Sequence, residues 1–148
     1  MIALLCWVSL SQIVYGSPSA QAKFWRKIAL SKAEVCLTVA KMAEGKRRLE
    51  LELIALSFQE SKHSEKKSNK GAVSALQVMM KHWGRGRGEE PLKAALRAWK
   101  YYRGKYSDLQ TAVGRYNGGG RHTQYAKDFM KHYKTLRDIS WVVDTLLH

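Results

Sequence analysis

A length of 148 residues bounds the chain to one domain of ordinary size. With 45 % hydrophobic residues, five Trp and seven Tyr, that domain can bury a real core. Against 12 Asp and Glu stand 26 Lys and Arg, a formal charge of +14 that attracts polyanions, so charge alone does not choose between nucleic acid, anionic lipid and carboxylate-rich wall polymer.

The first 22 residues carry no charged side chain. Ile2 to Val8 is a short apolar run, Leu10 to Tyr15 is mixed, and Gly16, Ser17 and Pro18 break any helix. Ala20-Gln21-Ala22 then supplies the small-x-small pattern of a signal-peptidase site, so residues 1–22 are expected to be a signal peptide and Lys23 the mature N-terminus. The basic residue that normally opens such a peptide is missing. The other reading of this segment is an N-terminal helix that packs on the domain or anchors it to a membrane. The run is shorter than the roughly 20 apolar residues a comfortable span needs. If Cys6 leaves with the leader, Cys36 stands alone, and its place between Val35 and Leu37 suits a small core residue. Too little sequence precedes Cys6 for a lipoprotein.

Beyond the leader, Trp25, Ile28, Ala29, Val35, Cys36, Val39 and Ala40 predict one helix over 25–43, stopped by Gly45. The next, over 47–61, is apolar on two sides: Leu49, Leu53 and Leu56 form one stripe, Leu51, Ala55 and Phe58 the other. A helix apolar all round belongs in the middle of a domain. Residues 62–70 form a polar loop. A short helix is expected over 73–83, with Leu76, Met79 or Met80, and Trp83 inward. After Gly84-Arg-Gly-Arg-Gly88, the acids Glu89 and Glu90 before Pro91 mark another helix start, with Leu92, Ala95, Leu96 and Trp99 on its apolar face. Ser107 or Asp108 caps a short helix bearing Leu109, Ala112, Val113 and Tyr116. Asn117-Gly-Gly-Gly120 breaks the chain before a last helix with Tyr125, Phe129, Tyr133 and Leu136. No stretch alternates with period two, so the expected fold is all-α, a single domain of about six helices.

Glu60 stands out. It follows Leu56, Leu53 and Leu49 by four, seven and eleven residues, which places it within about 40° of all three on the helix. A carboxyl at the end of the apolar stripe of the most buried helix has its pKa raised by burial, as a general acid near neutral pH requires. The alternative is a carboxylate paired with Lys or Arg.

Glu60-Ser61, after a hydrophobic helix, resembles the Glu-Ser signature of the soluble lytic transglycosylases and goose-type lysozymes. Gly71-Ala72-Val73-Ser74-Ala75-Leu76-Gln77 resembles their Gly-Ala-x-Gly-Leu-Met-Gln motif, and Arg115-Tyr116-Asn117-Gly118-Gly119 their Ala-Tyr-Asn-Ala-Gly. Tyr125-Ala126 follows where these families often carry a Tyr opening the last helix. The likeness runs from about Leu49 to Tyr133. Ser74, Ala75 and Leu76 depart from the usual Gly, Leu and Met, Gly118 from Ala, and the usual Asn-Ile pair is absent between Trp83 and Trp99. These changes touch glycan-facing and packing positions rather than the acid.

The resemblance implies a lysozyme-like fold and a peptidoglycan lytic transglycosylase, in which the sugar's own C6 hydroxyl attacks the anomeric carbon. Glu60 would act first as acid and then as base, leaving a 1,6-anhydro-MurNAc end. Most glycosidases need two carboxylates. Here Glu65 lies in a lysine-rich loop, and Glu89 and Glu90 read as helix-start residues, so one carboxylate suits the transglycosylase better than a hydrolase. Gln77 would offer its amide to the glycan, or is a surface polar residue. Tyr116 would bond near Glu60 or an N-acetyl group, or packs. Asn117 would bind substrate, or takes the left-handed conformation that ends a helix. Ser61 and Ser68 would line the groove, and Tyr125 would support Glu60.

No His-Glu-x-x-His pattern and no glycine-rich loop after a strand occurs, so neither a metal nor another cofactor is expected. The expected partner is the peptidoglycan glycan strand, in the periplasm or outside the cell, for a secretion, conjugation or phage apparatus or for wall turnover; nucleic acid is not expected. Two alternatives stay open: a non-catalytic cationic wall-binding module on the same fold, and a lysozyme-type hydrolase.

Overall fold

The computed structural model describes residues 1–13 and 17–147, and its regular elements are all helices. They are α1 (Ile2–Ser11), α2 (Pro18–Lys27), α3 (Ala29–Lys41), α4 (Arg47–Ser61), α5 (Met80–Trp83), α6 (Pro91–Lys105), α7 (Leu109–Tyr116) and α8 (Gln124–Leu147). Tyr15 and Gly16 of the expected leader, and His148, lie outside the described residues. Among those described, no helix is long and apolar enough to cross a membrane. The chain is an all-α domain.

The centre is α4, buried without interruption from Glu50 to Phe58, as two opposed apolar stripes require. It packs against α1, α3 and α8, while α6 and α7 lean on each other and α7 on α8. Trp99, Phe129, Leu136 and Leu76 fill the space between them, all fully buried. The caps follow the residues that set them. Asp108 accepts from the Thr111 amide, and Glu90 accepts from the Leu92 and Lys93 amides with Pro91 at the first helical position.

Two expectations are corrected. The helix predicted over 25–43 is two, bent at Ile28 (φ −111°). The bend turns Phe24 rather than Trp25 inward, where it joins Leu10, Ile13 and Phe58; Trp25 is 37 % exposed. Helix over 73–83 is confined to Met80–Trp83. Val73 and Val78 instead exchange both backbone hydrogen bonds, at 3.0 and 2.9 Å, around the turn Ser74–Gln77. Over so few residues, one helical turn and one tight turn bury the same apolar positions, so periodicity does not separate them.

Cys36 would stand alone only if Cys6 left with a leader. In the uncleaved chain it is bonded to Cys6. The apolar N-terminal run forms α1, and α1 packs on α3, α4 and α8, with Leu5, Cys6, Ser9 and Leu10 buried. This is the packed-helix reading of that segment. Ser9 is its polar anchor: its hydroxyl lies within hydrogen-bonding distance of His63 Nε2, at 2.6 Å, and of His132 Nε2, at 2.7 Å. His63 Nδ1 meets the Ser57 hydroxyl at 3.0 Å, and the His132 ring stacks on Phe58 at 4.0 Å. Three helices and the loop after α4 thus meet in one buried polar chain. Burial, aided by the charges of His132, Lys32 and Lys62, pushes His63 down to about 3; burial and then Lys62 push His132 down to about 4.

Candidate active site

Glu60 is the penultimate residue of α4, and the chain leaves the helix through Lys62 and His63, both in left-handed conformation (φ 53° and 56°). Tyr125, in the first turn of α8, donates its hydroxyl hydrogen to Glu60 Oε1. Burial pushes the Glu60 carboxyl up to about 7, against the Tyr125 hydrogen bond and the charge of Lys66, which both pull it down. Among the described residues, no other carboxylate contributes to that shift. Among the described residues, none of the ion pairs involves Glu60.

The same helix supplies the contrast. Glu52, two turns earlier and 3 % exposed, accepts from Trp99 Nε1 at 3.0 Å, Arg103 Nε at 3.3 Å and Arg48 Nε at 3.2 Å. Glu50 meets Arg47 at 2.6 Å. These carboxylates hold helices together with their charge matched. Sequence reasoning passed over Glu52, although Arg48 stands four residues before it on the same helix face. Glu89 is likewise occupied, receiving Arg97 at 2.7 Å. Glu60 alone of these is held by a neutral hydroxyl, and keeps a proton near neutral pH.

Around it the loop 62–79 is braced from within. Ser61, 6 % exposed, turns inward: its hydroxyl lies within hydrogen-bonding distance of the carbonyls of Ser57 and Ala75 and accepts from the Ser64 amide. Ser68 accepts from the Ala72 amide at 3.0 Å. The structure uses both serines to shape the loop. Gln77 donates its amide hydrogens to the carbonyls of Ser74 (2.8 Å) and Lys66 (2.9 Å), which ties the two arms of the loop together. Tyr116 donates to the Leu76 carbonyl at 2.8 Å, with its ring edge-on to Trp99 and Tyr102. Burial, and then the charge of Glu60, lift its hydroxyl well above the ordinary range.

Gln77 and Tyr116 share a cleft of about 170 Å³ with Met79, Trp83, Tyr102 and Gly118. Asn117, exposed, does not line it and is not left-handed (φ −80°); the positive φ falls on Gly118, at 81°. A glycine that the motifs did not single out matters more. A Cβ on Gly114 would lie 2.2 Å from the Gly120 carbonyl oxygen, so only glycine lets the segment after α7 fold back. Of the residues read from the sequence, the structure joins Glu60 to Tyr125 and Gln77 to Tyr116, gives Ser61 and Ser68 to the loop, and leaves Asn117 outside.

Ser74, where the resembling motif carries glycine, has φ 71°. Its hydroxyl accepts only a long bond, 3.3 Å, from the Leu76 amide. Left-handed backbone costs a non-glycine residue about 1 kcal/mol or more. Ser74→Gly is therefore expected to stabilise the protein by about 0.5–1 kcal/mol in urea unfolding. A lower midpoint would show that the serine bond outweighs the strain.

The buried histidines predict an acid weakness. Their folded pKa values lie below the ordinary 6.5, so stability present above about pH 6.5 is lost as pH falls toward 4 and 3. Each contributes a loss of roughly 2 kcal/mol by pH 5. Glu60 runs the other way, since its raised pKa adds stability as pH falls below about 7. Urea unfolding at pH 7.5 and 5.0 in a Glu60→Gln background isolates the histidines. A large drop is expected there, roughly halved by His132→Gln; equal stability at the two pH values would refute the account.

Compared with protein-family models, curated proteins and solved structures, the chain matches none.

Proposed function

We propose that the chain is a peptidoglycan lytic transglycosylase of lysozyme-like fold, cleaving the β-1,4 bond between MurNAc and GlcNAc with Glu60 as its single acid and base. The observation that carries this reading is a carboxyl lifted to about 7 by burial, in no ion pair among the described residues and bonded by Tyr125, on the most buried helix of the domain. In that state Glu60 holds the proton that the leaving oxygen needs as the glycosidic bond breaks. The carboxylate so formed, stabilised by Tyr125 and Lys66, then withdraws the proton of the C6 hydroxyl as that oxygen closes on the anomeric carbon. Atoms balance without water, and the product carries a 1,6-anhydro ring. With Glu65 in a lysine-rich loop and Glu89 held by Arg97, neither is placed as the partner carboxylate that hydrolysis commonly uses, which favours this route. The +14 charge draws the protein to wall polymers rich in carboxylate.

Export belongs to the same proposal. The Cys6–Cys36 disulfide suits an oxidising compartment outside the cytoplasm. Cleavage after Ala22 is a separate matter, because it would sever α1 from the chain that α1 packs against.

The test is mass spectrometry of the sugars released when the full chain, and Glu60→Gln beside it, act on purified peptidoglycan. Anhydro-muramyl ends from the unaltered protein alone are expected. Reducing ends would make it a lysozyme-type hydrolase, and binding without product by both forms a wall-binding module.

A further inference from the structure

A second concavity, of about 550 Å³, lies along the seam of α4 and α8 and shares no lining residue with the cleft of Gln77 and Tyr116. Its position ties it to Glu60. Gln59 and Lys62 line it and bracket Glu60 in the chain, and Asp128 lines it one helical turn beyond Tyr125, roughly 4.5 Å along α8. Its floor is the stacked pair Phe58 and His132. The Lys62 ammonium sits over the Phe58 ring at 3.8 Å, and Lys131 lies on the α8 side.

The lining sets two ammonium groups and one carboxylate above its aromatic floor, whereas the hydroxyls and ring faces of the glycan backbone carry no charge. A peptide carrying acid groups, amide links and an amine uses all of those charged groups. Neither Lys62 nor Lys131 takes part in an ion pair among the described residues. Burial lowers the pKa of Lys62, with Asp128 opposing and Lys66 adding to the fall. An arriving carboxylate would favour the charged form of Lys62 against that burial. Peptidoglycan carries such a peptide on the lactyl group of every intact muramyl residue, beside the bond to be cut.

Resting on the transglycosylase reading, we propose that this groove binds the acidic stem peptide of the muramyl residue at the scissile bond, its carboxylates on Lys62 and Lys131 and its amine toward Asp128. The groove then makes the enzyme selective for glycan that still bears its peptides. Gln12 and Ile13, just past α1, complete the wall, so the N-terminal segment belongs to the site as well as to the core.

Two measurements test this on the full chain. The first compares cleavage of glycan strands bearing stem peptides with the same strands stripped by an amidase, for the unaltered protein and for Lys62→Gln/Lys131→Gln. The unaltered protein is expected to favour the stem-bearing strands about tenfold or more in kcat/KM, and the double variant to lose most of that preference. The second titrates the free stem peptide released by the amidase into both proteins, with binding expected only to the unaltered one. Equal cleavage of both strands, or peptide binding undiminished in the double variant, overturns the groove assignment. Peptide binding by the unaltered protein with no cleavage of either strand would defeat the catalytic reading while the groove stands.

Discussion

Glu60→Gln is expected to lower the rate of anhydro-muramyl formation by about a thousandfold or more, within the range that general acid–base catalysis contributes. Glutamine keeps the shape and can still meet the Tyr125 oxygen, but it has no proton to give at neutral pH. The fold should survive, since no ion pair among the described residues depends on this carboxyl. Removing a buried titrating group should in fact raise stability above pH 7, where the native carboxylate is ionised against its burial. The pH profile gives an independent reading. The acid must enter the reaction protonated, so the rate should fall above about pH 7, the value to which burial lifts Glu60. Tyr125→Phe removes a hydrogen bond that favours the charged form and should move that alkaline limb upward. A limb that stays in place would mean that another group titrates. Loss of fold in Glu60→Gln, seen by circular dichroism, would mean that the carboxyl is structural.

Removal of residues 1–22 is expected to abolish cooperative folding of the remainder. Leu5, Val8, Leu10 and Ile13 are all buried, and each contributes about 1.5–3 kcal/mol relative to exposure. Ser9 would leave the Nε2 atoms of His63 and His132 without a partner in the interior, at about 1–3 kcal/mol each. The disulfide, which joins residues 30 apart, contributes about 2–5 kcal/mol more. The ordering entropy of α1 offsets part of this. The remainder still compares with the whole stability of an ordinary domain, about 5–15 kcal/mol. Urea unfolding of the 23–148 chain beside the full one, with and without reductant, is the measurement. An unchanged midpoint would show that α1 is an appendage. Mass analysis of the exported protein addresses the leader itself. Cleavage after Ala22 with the disulfide intact would leave residues 1–22 attached until reduction. Their loss under non-reducing conditions would rule out a structural role for α1.

The sequence by itself determined the local and the central. The spacing of Leu49, Leu53, Leu56 and Glu60 located the buried helix and the carboxyl at its end, because a helix 3.6 residues per turn writes its apolar face into the chain. Asp108, Glu90 and Pro91 announced their helix starts for the same reason: caps are made by neighbours in sequence. Periodicity says which face of a helix is apolar and nothing about what covers it, so the rest waited for tertiary structure. The apolar run of α1 reads first as a leader and otherwise as a packed helix, and what it packs on in the uncleaved chain, α3, α4 and α8, is set by tertiary structure. The partner of Cys36, the meeting of Ser9 with His132 across 123 residues, and that of Tyr125 with Glu60 across 65 are set by how the helices stack. The difference between Glu52 and Glu60 is decided in the same way. Both sit on α4, but Arg103 and Trp99 of α6 reach Glu52, while Tyr125 of α8 gives Glu60 a neutral hydroxyl, so one carboxyl is ion-paired and the other is lifted by burial to about 7.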